Sequence, residues 1–388
     1  MKKWQKILLL VLAFAVAILG SSIVTMQLLT RGRTPAEDKA AEVSAYLDRF
    51  FIDDYDEDAL ADAAAAAMVE ATGDRWSYYL TAEEKSSYDE QMQNAYVGIG
   101  VTITLQEQDG GMRVEQVTAG GPAEEAGMQV GDIITEVEGE STLTLGMAGT
   151  RAKVRGEEGT SVALTILRGG ERLTLTVERR SIETAVATYE MLDDQIGYVK
   201  VANFDTRCFD ETSAAIDALL DDGAQALIFD VRNNPGGYAK ELVKVLDYLL
   251  PEGELFRTVD YAGKENVDYS DADCLDIPMA VLVNGDSYSA AEFFAAALSE
   301  YGVADVVGEK TCGKGYFQNT IRLSDGSAVG LSVGKYFTPK GVSLAGVGIT
   351  PDVVVPVDEE TADAIYYDQL EPEDDPQIQA ALELLEKK

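Results

Sequence analysis

Residues 279–301 read MAVLVNGDSYSAAEFFAAALSEY, an apolar strand, a polar turn and a helical stretch in succession. The pattern predicts a buried strand that turns sharply into a helix beginning near Ala290. Such a strand-turn-helix presents Ser289 at a helix amino terminus, where the helix dipole and free backbone amides favour developing negative charge. The tetrapeptide SAAE, residues 289–292, is also an S-x-x-E capping box, so the sequence leaves a purely structural role for Ser289 open.

The chain of 388 residues contains no histidine, which restricts the chemistry open to an activated serine. A Ser-His-Asp triad is impossible without imidazole, and so is the usual ligand set of a catalytic zinc site. The three cysteines, Cys208, Cys274 and Cys312, are too few and too scattered for a disulfide framework or a metal site. We therefore predict neither metal nor cofactor, and a lysine as the base for any activated serine.

The candidate base is Lys314, which stands between two glycines in the sequence GKG. Such a turn is usually solvated. A base that works near pH 7 needs a pKa well below the reference value of about 10.4, and in so acidic a chain only desolvation lowers it. Gln318 follows four residues later. An extended segment would put it on the same face as Lys314, although an exposed strand glutamine fits the spacing equally well.

The stretch RNNPGG, residues 232–237, follows the buried strand ALIFDV and precedes a helix. Gly236 and Gly237 leave their amides bare. One of them, together with the Ala290 amide, could bind the oxyanion of an acyl-transfer intermediate. The alternative is a polar turn that uses two glycines for their backbone angles, and this interpretation stays credible for the two asparagines.

From Tyr96 onward the sequence changes to short strands separated by glycines. Three stretches in order resemble a PDZ domain of the circularly permuted bacterial type: YVGIGV (96–101), GPAEEAGMQVGDII (121–134) and VRGEEGTSVALTILR (154–168). The resemblance implies that an extended peptide pairs with a strand edge and that its terminal carboxylate lies in a nest of backbone amides. The predicted peptide-binding residues are Val97, Gly98, Ile99, Gly100 and Arg155. For Arg155, a solvated loop charge is the alternative.

Three motifs of the carboxyl half resemble those of the carboxyl-terminal processing peptidases, a family of serine-lysine endopeptidases also called tail-specific proteases. The motifs are DVRNNPGG (230–237), NGDSYSAAE (284–292) and EKTCGKGYFQ (309–318), and the resemblance covers roughly residues 74–352. It implies that Ser289 is the nucleophile, Lys314 the base, and Gln318 the group that orients the lysine.

Three positions depart from the family pattern. The family usually has a small polar residue at Ala291, an aromatic residue at Cys312 and a small residue at Tyr288. None of these changes removes a catalytic group, but they put the fit of a substrate beside Ser289 in doubt.

We predict a mixed α/β (α+β) chain of five parts. These are a cytoplasmic tip and transmembrane anchor (1–33), a helical amino-terminal arm (34–95), a PDZ domain (96–181), a crotonase-like ββα protease core implied by the resemblance (182–358), and an acidic helical tail (359–388). The anchor prediction rests on three lysines before the apolar run Ile7–Ile23 and two arginines after it. The positive-inside rule then puts the rest of the chain outside the cell membrane. A cleaved signal peptide is the alternative.

The predicted function is a membrane-anchored, extracytoplasmic serine endopeptidase that binds the carboxyl-terminal tails of protein substrates through its PDZ domain. The alternative is a catalytically inactive PDZ module at the cell surface. A non-peptidase acyl hydrolase is a third interpretation, in which a peptide-binding module has little use. The net charge of −37 disfavours nucleic acid as a partner. The resemblance is compatible with a homodimer formed through the helical ends, which the residues themselves do not establish.

Overall fold

The computed structural model describes residues 34–92, 95–106, 110–193 and 195–387, and the chain divides into two units after Gly73. The predicted membrane segment, Ile7–Ile23, lies outside the described residues. Within the described ranges, no helix combines the length and the apolar composition that crossing a membrane requires.

The first unit consists of two helices, α1 (Pro35–Phe50) and α2 (Glu57–Glu70). Helix α1 begins at a reciprocal capping box, in which the Glu37 amide donates to Thr34 Oγ1 and the Thr34 amide donates to Glu37 Oε2. Neither helix buries a side chain among the described residues. This unit therefore gains little stability from packing of its own.

The second unit begins with β1 (Tyr78–Leu80) and α3 (Ala82–Met92), which the sequence analysis assigned to a helical arm ending at residue 95. In the structure, β1 pairs with a distant core strand, and Tyr78 lies opposite Gly330. The Tyr78 ring fills the space beside Gly330, since a Cβ there would lie 2.2 Å from the ring. Residues 74–92 thus belong to the second unit rather than to the arm.

The PDZ domain is an antiparallel sheet in the strand order β3-β4-β5-β7-β8, with β6 paired to β5 and a separate β2-β9 pair. Its elements are β2 (Ala95–Gly98), β3 (Val101–Gln106), β4 (Gly111–Val117), α4 (Pro122–Glu125), β5 (Ile133–Val137), β6 (Glu140–Ser141), α5 (Thr142–Val154), β7 (Ser161–Arg168), β8 (Glu171–Glu178) and β9 (Arg180–Glu183). Alternation along β7 buries Val162, Leu164 and Ile166 in the core of this domain.

The protease core is built on a six-stranded sheet in the order β10-β11-β12-β15-β16-β19, parallel from β11 onward. Its strands are β10 (Ala187–Asp193), β11 (Ile196–Val201), β12 (Ala226–Asp230), β15 (Met279–Val283), β16 (Ala304–Gly308) and β19 (Val353–Val354); the helices around it are α6 (Cys208–Asp221), α7 (Ala239–Leu249), α8 (Ala290–Tyr301), α9 (Glu359–Tyr366) and α10 (Pro376–Leu385). Every residue of β12 and β15 is buried, because helices cover both faces of the central parallel strands.

A second core sheet has the order β1-β18-β13-β14, with β17 also paired to β18. Its remaining strands are β13 (Gly253–Asp260), β14 (Glu265–Ser270), β17 (Tyr316–Arg322) and β18 (Ala328–Phe337). A hairpin turn at Asp325-Gly326 joins β17 to β18, and Gly326 has the left-handed φ that favours glycine.

Helix α10 is part of the core rather than a separate acidic tail. Ile378, Ala381 and Leu385 are buried on this helix against residues of the parallel sheet. At its start, Asp375 Oδ2 accepts a hydrogen bond of 2.7 Å from Arg232 Nη1. Both side chains of this ion pair are at most 3% exposed. The pair therefore ties the last helix to the segment that follows β12.

Candidate active site

Ser289 precedes α8 and has a strained backbone, with φ 58° and ψ −124°. A non-glycine residue rarely adopts this conformation, and it persists only where the surrounding packing enforces it. The sharp turn from β15 into α8 does so here. Ser289 is 8% exposed and lines an internal cavity. The predicted strand, turn and helix are confirmed.

The PGG turn packs directly against the Ser289 backbone. A Cβ at Gly236 would lie 2.8 Å from Ser289 Cβ and 2.9 Å from Ala290 N, so only glycine fits. The Gly236 amide donates to Asn234 Oδ1 at 2.8 Å, which occupies it in this conformation. The Gly237 and Ala290 amides have no such partner among the described residues. They are therefore the better placed of the three predicted oxyanion donors.

The two asparagines of this turn have structural roles. Asn234 Nδ2 donates to the Val201 carbonyl at 2.7 Å. Asn233 pairs reciprocally with Asn284, whose Nδ2 donates at 2.7 Å and whose Oδ1 accepts from the Asn233 amide at 2.9 Å. These contacts fix the turn relative to β11 and β15, as the structural interpretation of the asparagines predicted.

The GKG turn is packed against a second loop instead of being solvated. A Cβ at Gly315 would lie 2.4 Å from Ala345 N, and one at Gly313 would lie 3.0 Å from Gly348 N. Close backbone approach therefore requires both glycines, and Gly313 also has a left-handed φ of 83°. The turn leaves Lys314 half-buried, and this side chain lines the same cavity as Ser289.

Two aromatic rings flank the Lys314 amine. Its Nζ lies 5.2 Å from the ring centroid of Trp76 and 5.5 Å from that of Tyr288. Both distances fall within the range of cation–π contacts. In the part of the chain that the structure describes, the amine forms no salt bridge and no side-chain hydrogen bond.

Burial lowers the pKa of Lys314, because an ammonium loses hydration in the cavity. The nearby Cys312, Glu292 and Asp74 side chains favour the charged form and oppose this effect, but burial outweighs them. The direction agrees with the sequence argument that only desolvation could make this lysine a base.

A single buried carboxylate connects the serine to the lysine. Glu292 is fully buried on α8 and accepts hydrogen bonds from the amides of Ser289 at 3.1 Å, Gly313 at 2.8 Å and Lys314 at 2.8 Å. It also accepts from Thr311 Oγ1. The sequence analysis treated Glu292 only as half of a capping box. Its contacts with the GKG turn lie more than 20 residues away along the chain, and no local pattern predicted them.

Gln318 lines the cavity, although the reason differs from the predicted one. Strand β17 begins at Tyr316, and a bulge lies between Phe317 and Gln318, so the alternation assumed from Lys314 onward does not hold. The Gln318 side-chain nitrogen donates to Ser332 Oγ at 3.1 Å and to the Tyr316 carbonyl at 3.2 Å. The structure brings Gln318 and Lys314 to one cavity without joining them by a hydrogen bond.

The segment DRWS, residues 74–77, forms a further wall, although the sequence analysis assigned it to the helical arm. Ser77 Oγ donates to Asp74 Oδ2 at 2.6 Å, and the Ser332 amide donates to Ser77 Oγ at 3.0 Å. Burial alone would raise the pKa of Asp74, but hydrogen bonds with Ser332 and Ser77 outweigh it and hold that pKa below its usual range. These contacts hold Trp76 beside the GKG turn.

The cavity has a volume of about 660 Å³. Five of the predicted site residues line it: Ser289, Lys314, Gln318, Gly236 and Gly237. Its other walls carry aromatic side chains from several elements, which include Trp76 and Tyr288. Within the described ranges, no group of three or more His, Cys, Asp or Glu side chains is arranged to hold a metal ion.

The predicted peptide groove of the PDZ domain is a second cavity of about 300 Å³. Gly98, Ile99 and Gly100 line it, together with Ile134 on β5. Val97 is not among the residues that line it, and its role in peptide binding stays a prediction. Along β2, alternate side chains point to opposite faces, so Tyr96 and Gly98 face the groove and Val97 faces away.

Arg155 also lines this groove but is already paired. Its Nη1 donates to Glu90 Oε2 on α3 at 2.8 Å, and its guanidinium lies 5.3 Å from the ring centroid of Tyr96. Helix α3 also carries side chains that line the cavity of Ser289 and Lys314, among them Tyr88. Arg155 is therefore not a freely solvated loop charge in this structure.

Comparison with known families agrees with the fold. The model of peptidase family S41 matches residues 195–355, and that of the PDZ domain matches residues 113–168. A solved structure described as a putative S41 protease from Bacteroides fragilis has a TM-score of 0.57 and 17% identity, covering 83% of this chain and 90% of that one. This likeness concerns the fold alone.

Two curated relatives extend the match along the chain. A carboxyl-terminal-processing protease from Synechocystis is 35% identical over 298 residues, 74% of this chain and 68% of that protein. A probable CtpA-like serine protease from Staphylococcus saprophyticus is 33% identical over 318 residues, 81% of this chain but only 64% of its own length. The chain belongs to the carboxyl-terminal processing peptidases of family S41, a family of serine-type endopeptidases, as its motifs predicted.

Proposed function

We propose that the protein is an active serine endopeptidase in which Ser289 is the nucleophile and Lys314 the base. One observation carries this proposal: the strained Ser289 and the half-buried Lys314 line one cavity, and both of their backbone amides bind the carboxylate of Glu292. A solvated turn and a simple helix cap would require neither a shared cavity nor a shared carboxylate.

The reaction begins when the neutral Lys314 amine takes the hydroxyl proton of Ser289 as Oγ attacks the peptide carbonyl carbon. The amides of Gly237 and Ala290 stabilise the oxyanion that forms. When the carbon–nitrogen bond breaks, the Lys314 ammonium returns the proton to the leaving amine. The lysine then takes a proton from water, which attacks the acyl-serine ester. As the ester bond breaks and the new carboxyl terminus leaves, the Lys314 ammonium returns this proton to Ser289 Oγ.

Gln318 is assigned to orient the lysine. Its side-chain nitrogen is anchored to Ser332 and Tyr316, which leaves the amide oxygen to accept a hydrogen bond from the Lys314 amine. This contact requires the amine to move from its position beside the two rings towards β17. Binding of a substrate that displaces water from the cavity would accompany that movement.

The substrate class follows from the PDZ groove. We propose that the groove pairs with the extended carboxyl-terminal tail of a protein substrate and that Arg155 binds its terminal carboxylate once Glu90 is displaced. Anchoring in the cell membrane through Ile7–Ile23, with the catalytic part outside, remains a proposal from the sequence pattern. A homodimer is a further prediction, motivated by the uncovered apolar side chains of α1, such as Val43 and Tyr46.

The test uses the full-length chain in detergent micelles with an unstructured protein that ends in an apolar tail. Wild type should release tail fragments detectable by mass spectrometry, and Ser289→Ala should release none. Retained cleavage by Ser289→Ala would refute the proposal. If wild type binds tail peptide, Lys314→Ala binds it equally, and neither hydrolyses it at any pH, the inactive PDZ module is the correct description.

A further inference from the structure

We infer that Trp76 and Tyr288 are positioning residues, whose rings together cover one side of the Lys314 amine and keep water away from that side. The inference rests on the proposed Ser289–Lys314 chemistry and assigns roles to two residues that take no part in bond making.

The two rings lie next to each other and form one aromatic wall beside the amine. The ring centroids of Trp76 and Tyr288 lie 6.3 Å apart, with 34° between the ring planes. Lys314 Nζ lies 5.2 Å from one centroid and 5.5 Å from the other. Both aromatic residues are half-buried and line the cavity. The amine is thus held near the serine by contacts that supply no hydrogen-bond acceptor.

The two rings come from distant parts of the chain. Trp76 is fixed by the Asp74–Ser77 turn, and its amide donates to Asp74 Oδ1 at 3.1 Å. Tyr288 is fixed by the strained turn before α8, and its amide donates to the Asn234 carbonyl at 3.1 Å. Because the backbones of Trp76 and Tyr288 are both hydrogen-bonded, their rings stay in place when the lysine side chain moves.

The turn that carries the lysine adds no aromatic surface of its own, because the residue two positions before Lys314 is Cys312. Cys312 is half-buried, and its sulfur lies 3.6 Å from Arg75 Nη2. The guanidinium of Arg75 in turn lies 4.3 Å from the ring centroid of Trp76. Tyr288 therefore supplies next to the lysine the aromatic surface that residue 312 does not.

Two opposed effects of the rings on the amine must be weighed. The ring faces attract an ammonium, which raises the pKa of Lys314, whereas exclusion of water lowers it. Burial is the largest influence on this lysine, and its pKa is lowered overall. Loss of a ring should therefore admit water and raise the pKa of Lys314.

Other charged groups face the amine and stay constant in the test. Asp74 and Arg75 precede β1, Glu292 is on α8, and Cys312 is on the turn of the lysine itself. Across the cavity, Lys85 and Asp89 of α3 pair with each other, and Arg322 lies on β17. Burial raises the pKa of the Tyr288 phenol, so this ring is neutral and adds no charge of its own.

The experiment measures the pH dependence of kcat/KM for Trp76→Ala and Tyr288→Ala in the full-length chain in detergent micelles. Each should raise the apparent pKa of the base by about one unit, so that activity falls about tenfold at pH values below that pKa and recovers at high pH. Trp76→Phe and Tyr288→Phe retain an aromatic surface and should restore the wild-type pKa. Tyr261→Ala removes an exposed tyrosine, 86% exposed, and serves as the control.

A second measurement does not depend on hydrolysis. The rate at which acetic anhydride acylates Lys314, followed by mass spectrometry as a function of pH, reports the pKa of its amine directly. A loss of activity that is equal at every pH, with the Lys314 pKa unchanged in both alanine variants, would overturn the inference and leave a merely structural role. A wild-type Lys314 that titrates like a solvated lysine would instead refute the proposed function itself.

Discussion

Glu292 accepts the backbone hydrogen bond of Lys314 at 2.8 Å, with the same carboxylate oxygen that accepts from the Ser289 amide. The distance between the backbone amides of Ser289 and Lys314 is therefore fixed by one buried side chain rather than by direct contact between the two residues. The carboxylate holds the backbone of each, while the amine of the lysine lies beside the rings of Trp76 and Tyr288.

Glu292→Gln should weaken both stability and activity. An amide replaces a carboxylate that accepts from several buried donors, so at least one donor would face an NH2 group. Leaving such a donor unsatisfied costs about 1–3 kcal/mol, and we expect the free energy of unfolding to fall by about that amount. Urea unfolding measures this change. Glu171→Gln, at an exposed hairpin of the PDZ domain, should unfold like wild type. Equal stability of the two variants would contradict the role of Glu292.

Gly236→Ala should abolish cleavage while leaving the fold intact. The new methyl group would lie 2.8 Å from Ser289 Cβ and would displace the nucleophile. Gly263→Ala is the matched control, because Gly263 has a similar φ of 79° against 87° but open space around it. Both variants should lose about 1–2 kcal/mol of stability from the left-handed backbone. Only Gly236→Ala should lose hydrolysis, measured with the same tail-bearing protein. Similar activities would show that close packing on Ser289 is unimportant.

Lys314→Met should stabilise the folded protein at neutral pH. The lowered pKa of Lys314 means that the folded state binds its proton more weakly than the unfolded state does. This penalty is fully present below the folded pKa and is relieved as pH rises towards the ordinary lysine value. Urea unfolding from pH 6 to 10 should therefore show an advantage of Lys314→Met that shrinks with rising pH. An advantage that is constant with pH would exclude the titration of this lysine as its cause.

Glu90→Gln should tighten the binding of a peptide with a free carboxyl terminus. Glu90 and the peptide carboxylate compete for Arg155, and the Arg155–Glu90 pair is about one-third exposed, which limits its strength. We expect a two- to fivefold lower Kd, about the worth of a surface ion pair. Isothermal titration calorimetry measures it. A peptide amidated at its carboxyl terminus is the control and should bind both forms equally. A Kd unchanged for the free peptide would argue against this competition.

Local sequence patterns predicted the parts of the fold that depend on local interactions. The strand, turn and helix around Ser289 were predicted correctly, because an apolar run and a capping sequence determine them within 23 residues. The structural role of the asparagines beside Gly236 was also expected. In each case the residues that decide the conformation are neighbours in sequence.

Long-range pairing accounts for what the sequence analysis missed. Strand β1 was assigned to a helical arm because its partner, β18, lies about 250 residues away. The last helix was assigned to an acidic tail, since only three of its apolar residues are buried. Its other contact with the core, the ion pair of Asp375 with Arg232, joins residues that are far apart in the sequence.

The unusual backbone angles at Ser289 have a thermal consequence. These angles persist only while β15, the PGG turn and Glu292 all keep their contacts with Ser289. They should therefore be the first local structure to relax when these contacts weaken. On slow warming, the enzyme should lose its hydrolytic activity several degrees before its circular dichroism changes. It should regain that activity on cooling. Its working range would then be set by one peptide unit instead of by the melting of the whole fold.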